Sequence, residues 1–151
     1  PIWEVLKEGS AKLGNFAHGY TYSGHPVGSA VALANIEIIE REGLVEQSRK
    51  QGAYLHKKLH TVLSNHPLVG EIRGRGLLAG VQLVTDKSRG QLPDPKDKWA
   101  QQAAAKIREL GVIVRPLPSV ATLAISPPLT ISCEQLDTLV ASIERSLDVL
   151  G

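Results

Sequence analysis

Methionine is missing from this chain altogether, and cysteine appears once, at Cys133. A chain that starts at Pro1 without an initiator reads as a fragment, although removal of the initiator ahead of a small residue such as proline leaves the same signature. A single cysteine excludes an intrachain disulfide and fits a reducing cytosol. Also absent are a signal peptide and any apolar run of the roughly 18 residues that a membrane-spanning helix needs, so the sequence predicts a cytoplasmic protein with no membrane partner. Nor is charge of one sign in excess: 17 Lys and Arg face 15 Asp and Glu, nine against seven through residue 75 and eight against eight beyond it. Without clustered positive charge, nucleic acid and anionic membranes are poor candidates for the main partner.

What is present is ordinary globular protein. At 151 residues with 42% hydrophobic content, the chain suffices for one domain with a core, or for a small domain plus a piece of another. Residues 1–9 predict a short helix ended by Gly9. A helix starting at Pro26 carries Val27, Ala30, Val31, Ala34 and Ile38 on one stripe, keeps small residues beside them, and ends near Gly43 as a left-handed cap. The next helix, about Leu44 to Asn65, repeats Leu55, Leu59 and Leu63 at helical spacing and closes before Pro67. The periodicity then changes to two strands, Leu68 to Arg73 and Leu77 to Val84, joined by Gly74-Arg75-Gly76. Residues 85–95 predict an exposed loop, Lys96 to Leu110 a helix stopped by Gly111, Val112 to Val114 a short strand, Arg115 to Val120 a proline-containing loop, and Ala121 to Ser126 another strand. A last helix opens with Ser132 and Gln135 as a capping box and sets Leu136, Leu139, Val140, Ile143 and Leu147 on one face. Residues 44–151 thus read as an α/β unit, helices packed over a small, largely antiparallel sheet. Residues 1–43 offer two helices and a loop with no sheet to cover, which implies that the rest of their domain lies upstream.

The loop holds most of the chemistry. Within NFAHGYTYSGHP, Asn15 to Pro26, the cluster Gly24-His25-Pro26 breaks the chain, and Pro26 suits the first turn of a helix because its missing N–H would be unpaired there anyway. Ahead of it Tyr20, Thr21, Tyr22 and Ser23 present four hydroxyls in a row between glycines. Such a segment either binds an anion such as phosphate through side chains and backbone N–H groups, or forms a turn whose hydroxyls bond their own backbone. His18 and His25 have no cysteine or carboxylate pair at ligand spacing, so no metal site is expected.

Three segments in order, NFAHGYTYSGHPVGSAVALANIEII, EIRGRGLLAGVQLV, and VIVRPLP with LAISPPLT, resemble the C-terminal third of class III aminotransferases, which are fold-type I pyridoxal 5'-phosphate enzymes. The likeness runs through essentially the whole chain, and it implies a domain plan: residues 1–25 as the end of the large cofactor-binding domain, 26–43 as a connecting helix, and 44–151 as the small C-terminal domain. It also implies a homodimer, in which the threonine of the HG-aromatic-TYSGHP segment donates to the phosphate of the partner subunit's cofactor. Carried over, Thr21 is that ligand with the Tyr20 backbone beside it, while His18, Tyr22 and His25 serve as interface and capping residues. Arg115 matches the mobile arginine with which amine and ω-amino acid members bind a substrate carboxylate, a task suited to a guanidinium fork. Ornithine aminotransferase-like members place an arginine just ahead of the double proline, where Ala124 stands here, so an α-carboxylate site of that type is not expected. Arg73 and Arg75 fall in a motif that the family uses as a strand junction.

The chemistry also needs a lysine to hold the cofactor aldehyde. The nine lysines, at 7, 12, 50, 57, 58, 87, 96, 98 and 106, include none in the family's lysine–glycine loop, which belongs upstream of residue 1. The resemblance therefore implies the C-terminal part of an enzyme that moves an amino group from an amine or ω-amino acid to a keto acid such as pyruvate, inactive by itself. A stand-alone dimerisation or interaction module built on the same fold is the alternative.

Overall fold

Residues 1–14 and 19–150 are described by a computed structural model. They fall into two compact units, Pro1–Ile38 and Ile39–Gly151. The first unit contains helix α1, Ile2–Leu13, and most of α2, Pro26–Arg41, and neither helix fully buries a residue. Helix α1 passes through Gly9 and stops at Gly14, φ 92°. An interior glycine costs a helix about 1 kcal/mol without necessarily ending it, whereas Gly14 takes a positive φ with an extended ψ that carries the chain off the helical path. Helix α2 ends as expected before Gly43, at φ 61°.

In the second unit α3, Leu44–Leu63, lays Leu55, Leu59 and Leu63 along one fully buried stripe, each worth about 1.5–3 kcal/mol of apolar burial. Strands β1, Val69–Arg75, β2, Leu78–Leu83, β3, Arg115–Leu117, and β4, Thr122–Ile125, form a sheet in the order β1-β2-β4-β3, antiparallel throughout. Alternation sends Ala79, Val81, Leu83, Leu123 and Ile125 into one core with α3, with α4, Trp99–Glu109, and with α5, Cys133–Leu147. The capping box of α5 forms: Ser132 Oγ accepts from the Gln135 N–H, and the Ser132 N–H donates to Gln135 Oε1. The face of the sheet opposite α3, α4 and α5 carries Glu71, Arg73, Gly80, Gln82, Thr122, Ala124 and Arg115.

Besides the end of α1, three boundaries differ most from the sequence reading. Strand β1 continues through Gly74 and Arg75, which pair with Ala79 and Leu78, so the hairpin turn shrinks to Gly76-Leu77. Gly74 at φ 150° and Gly76 at φ 56° adopt angles open to glycine, and α3 comes close enough that a Cβ on Gly52 would meet the Gly76 backbone at 2.3 Å. Helix α4 begins at Trp99, not Lys96, because Asp94 caps a short 3-10 turn at Pro95–Asp97 and Lys98 is left-handed, φ 53°. The third strand is not Val112–Val114 but Arg115–Leu117, which I-V-R-P hides from pattern reading: an edge strand tolerates Pro116, whose missing N–H need not enter a ladder.

Candidate functional site

The loop before α2 is built from overlapping turns. The Ser23 N–H donates to the Tyr20 carbonyl at 3.0 Å, the His25 N–H to the Tyr22 carbonyl at 3.2 Å, and the Ser29 N–H to the His25 carbonyl at 2.9 Å, with Gly24 at φ 74° completing the bend. Pro26 then occupies the first position of the helix. These are backbone bonds. The side chains of Thr21, Tyr22 and Ser23, and the backbone N–H groups of Thr21 and Tyr22, have no hydrogen-bond partner among the described residues. Gly19 to Ser23 line an open, solvent-facing concavity. One hydroxyl and two adjacent N–H groups, presented together next to a helix start, suit a doubly charged oxyanion. His18, with the rest of Asn15 to His18, lies outside the described residues. Among the described residues no group of three or more His, Cys, Asp and Glu could hold a metal ion.

Arg115 opens β3 on the face of the sheet opposite α3, α4 and α5, and its register partner on β4 is Ala124. The two positions at which relatives of different specificity were expected to carry a carboxylate-binding arginine are therefore direct neighbours across one strand pair. The exposed guanidinium makes no ion pair or hydrogen bond with a described residue, and the arginine borders a hollow lined by Ile113, Pro116, Ala124 and Pro127. Thr21 and Tyr20 belong to the first unit and Arg115 to the second.

Two clusters escaped the sequence reading. The first is centred on Arg73, whose position follows from register: Arg73 pairs with Gly80, Gly80 with Ala124, and Ala124 with Arg115, one row across all four strands. Its Nη1 donates to Glu71 Oε2 at 2.9 Å and to Gln82 Oε1 at 3.2 Å, and its Nη2 to Thr122 Oγ1 at 3.4 Å. The second ties α3 to α5. The Tyr54 hydroxyl donates to Asp137 Oδ1 at 2.8 Å, Lys58 Nζ stands 3.0 Å from the same oxygen, and that ammonium lies 5.9 Å from the centre of the Tyr54 ring. Asp137 is held below the usual carboxylate range, first by the Tyr54 bond and then by Lys58, while Tyr54 and Lys58 are each raised chiefly by their bond to Asp137. The i,i+4 spacing of Tyr54 and Lys58 was visible in the sequence, but their carboxylate partner lies 83 residues from Tyr54.

The profile of the family described as aminotransferase class-III matches residues 2–147. The chain is 39% identical over 147 residues to diaminobutyrate–2-oxoglutarate transaminase of Halomonas elongata and 40% identical over 147 residues to putrescine–pyruvate aminotransferase of Pseudomonas aeruginosa. Each match covers 97% of this chain and 31% of the relative, so the chain spans about a third of the length of these curated proteins. Among solved structures it superposes on a thermostable omega transaminase mutant from Pseudomonas jessenii with a TM-score of 0.80 at 38% identity, over all of this chain and 33% of that one.

Proposed function

The chain belongs to the class-III aminotransferase family and has the fold of part of a fold-type I aminotransferase, and from this we propose that the whole enzyme transfers an amino group from an amine or ω-amino acid to a keto acid such as pyruvate. Arg115 carries the donor class. It stands unpaired on the open sheet face while Ala124 occupies the neighbouring rung, an arrangement that offers a carboxylate one movable fork and no fixed α-carboxylate arginine. An arginine at the start of a three-residue edge strand can meet a carboxylate or turn to solvent when the donor is an uncharged amine.

Pyridoxal 5'-phosphate, when bound, supplies the carbonyl that takes up the amino group and the ring that accepts its electrons. The residues of this chain fit one end of that cofactor. The Thr21 hydroxyl and the N–H groups of Thr21 and Tyr22 would donate to its phosphate, with Tyr20 beside them, and in a homodimer that phosphate would belong to the partner subunit. The lysine that holds the aldehyde is not among the nine of this chain, so residues 1–151 alone would bind phosphate weakly and would not transaminate. In this reading residues 1–25 close the large domain, 26–43 connect, and 44–151 form the small domain that carries Arg115 to the substrate, in a cytoplasmic enzyme.

The test of the cofactor role is Thr21→Val in the whole enzyme. Loss of a hydrogen bond to a charged group should weaken cofactor affinity about ten-fold, read by titrating the apoenzyme and following cofactor absorbance. Unchanged affinity would remove Thr21 from the phosphate site.

A further inference from the structure

We propose that Arg73 is a positioning residue for Arg115, acting through a relay across the open face of the sheet to the turn that follows the Arg115 strand. The proposal rests on the reading of Arg115 as the carboxylate-binding group. The strand in question is weakly anchored. It has three residues at the edge of the sheet, pairs only with β4, and includes Pro116, which has no N–H to donate. Directly after it the chain makes a 3-10 turn, Pro118–Val120, and passes through Ala121 at φ 44° and ψ 45°, a left-handed conformation that a residue with a Cβ adopts only when its surroundings enforce it.

Side chains around the turn supply that constraint. The Val120 carbonyl receives two side-chain donors, Thr122 Oγ1 at 2.9 Å and Gln82 Nε2 at 3.3 Å. Both of these side chains are themselves held by Arg73. Its Nη2 donates to the same Thr122 hydroxyl and its Nη1 to Gln82 Oε1. The polarity is consistent at every step: the guanidinium only donates, the Thr122 hydroxyl and the Gln82 amide accept from it and donate onward, and the carbonyl only accepts. Such chains polarise one another, and removing the head loosens both branches. Glu71 fixes the guanidinium from the other side at 2.9 Å.

Gly80 makes the relay possible. A Cβ at that position would stand 3.3 Å from Thr122 Cγ2 and 3.8 Å from Arg73 Cγ, so the absent side chain leaves the floor over which Arg73 crosses β2 to reach β4. Thr122 is 2% exposed under this cover, which shields its bonds from water. A lysine could not replace Arg73, because one ammonium cannot address Gln82 and Thr122 with the geometry of a planar fork. Arg73 thereby limits where Arg115 can stand without touching the substrate.

The experiment compares two donors in the whole enzyme, an ω-amino carboxylate and an amine of similar size without a carboxylate. Arg73→Gln should raise KM for the carboxylate donor relative to that for the amine about five-fold, the value of roughly one lost hydrogen bond in positioning. Hydrogen exchange across residues 117–122 should become faster in the same variant. Thr122→Val, which cuts one branch, should show both effects in smaller measure and serves if Arg73→Gln does not fold. Arg115→Ala is measured alongside. If it lowers the carboxylate preference while Arg73→Gln and Thr122→Val leave both that ratio and the exchange rates unchanged, the relay is overturned and the role of Arg115 stands. If Arg115→Ala leaves the preference intact, the reading of Arg115 fails, and the positioning role falls with it even where exchange at 117–122 responds.

Discussion

Gly52 and Gly76 illustrate why single atoms matter in this fold. Helix α3 and the β1–β2 turn meet backbone against backbone: Gly52 cannot be given a side chain without moving one of the two elements, and Gly76 is held to glycine by its φ of 56°. For Gly52→Ala the new Cβ would stand 2.3 Å from the Gly76 carbonyl carbon, a distance at which the helix or the hairpin must shift. The expected loss is about 2 kcal/mol, typical of overpacking, read as a lower urea midpoint with an unchanged slope. A midpoint equal to that of the parent chain would overturn the close approach of α3 to the turn. At the same scale, Arg73 and Arg115 carry identical side chains to different ends. Arg73 spends its donors on Glu71, Gln82 and Thr122, whereas Arg115 spends none on the described residues, and only the second is free to meet a ligand.

Between elements, the Tyr54–Asp137–Lys58 tie makes the α3–α5 contact depend on pH at both ends of the scale. The Asp137 carboxyl is lowered in the folded state, so its contribution is present above about pH 4 and is lost as pH falls through the lowered folded value. Tyr54 and Lys58 are raised, so their contributions are present below about pH 10 and are lost as pH rises through the raised folded values. The difference in urea midpoint between the parent chain and Asp137→Asn should therefore be widest between about pH 5 and pH 9 and narrow toward both extremes. A difference constant from pH 3 to pH 11 would mean that these groups do not report on folding. The helices that make this contact were legible in advance because their apolar residues recur every three or four positions and their ends carry recognisable signals, Gly43 before α3 and the Ser132–Gln135 box at α5. Strand β3 was not, since three residues including a proline give no period to read; its pairing with β4 defines it.

For the molecule as a whole, the prediction concerns two subunits. If Thr21 serves the partner's cofactor, a Thr21→Val subunit, poorly occupied at limiting cofactor, and a subunit lacking the Schiff-base lysine, inactive at any concentration, should complement when mixed and assayed at limiting cofactor. The mixed dimer then holds one complete site, with the lysine from one chain and Thr21 from the other. Random reassortment puts half of the subunits into mixed dimers, so refolding equal amounts together should restore about a quarter of full activity. No restoration would place Thr21 and the lysine in the same chain's site. The first unit is consistent with a surface meant to be covered: Trp3, Val27, Val31 and Leu33 are each more than 60% exposed, and soluble proteins rarely leave so much apolar surface on two short helices.

Local order determined much of this: helix stripes, caps and the hydroxyl-rich turn before Pro26 all follow from residues within a few positions of one another, whose interactions do not depend on the rest of the fold. Arg73 showed the limit. In sequence it is one of two arginines at a glycine junction, 42 positions from Arg115. The sheet puts both on one four-strand row with Gly80 and Ala124 between them. Strand register is set by the burial of the opposite face against α3, α4 and α5, and a slip of one residue would turn Arg73 into the core. The tertiary structure alone therefore decided which arginine is tied down and which keeps its donors free of the described residues.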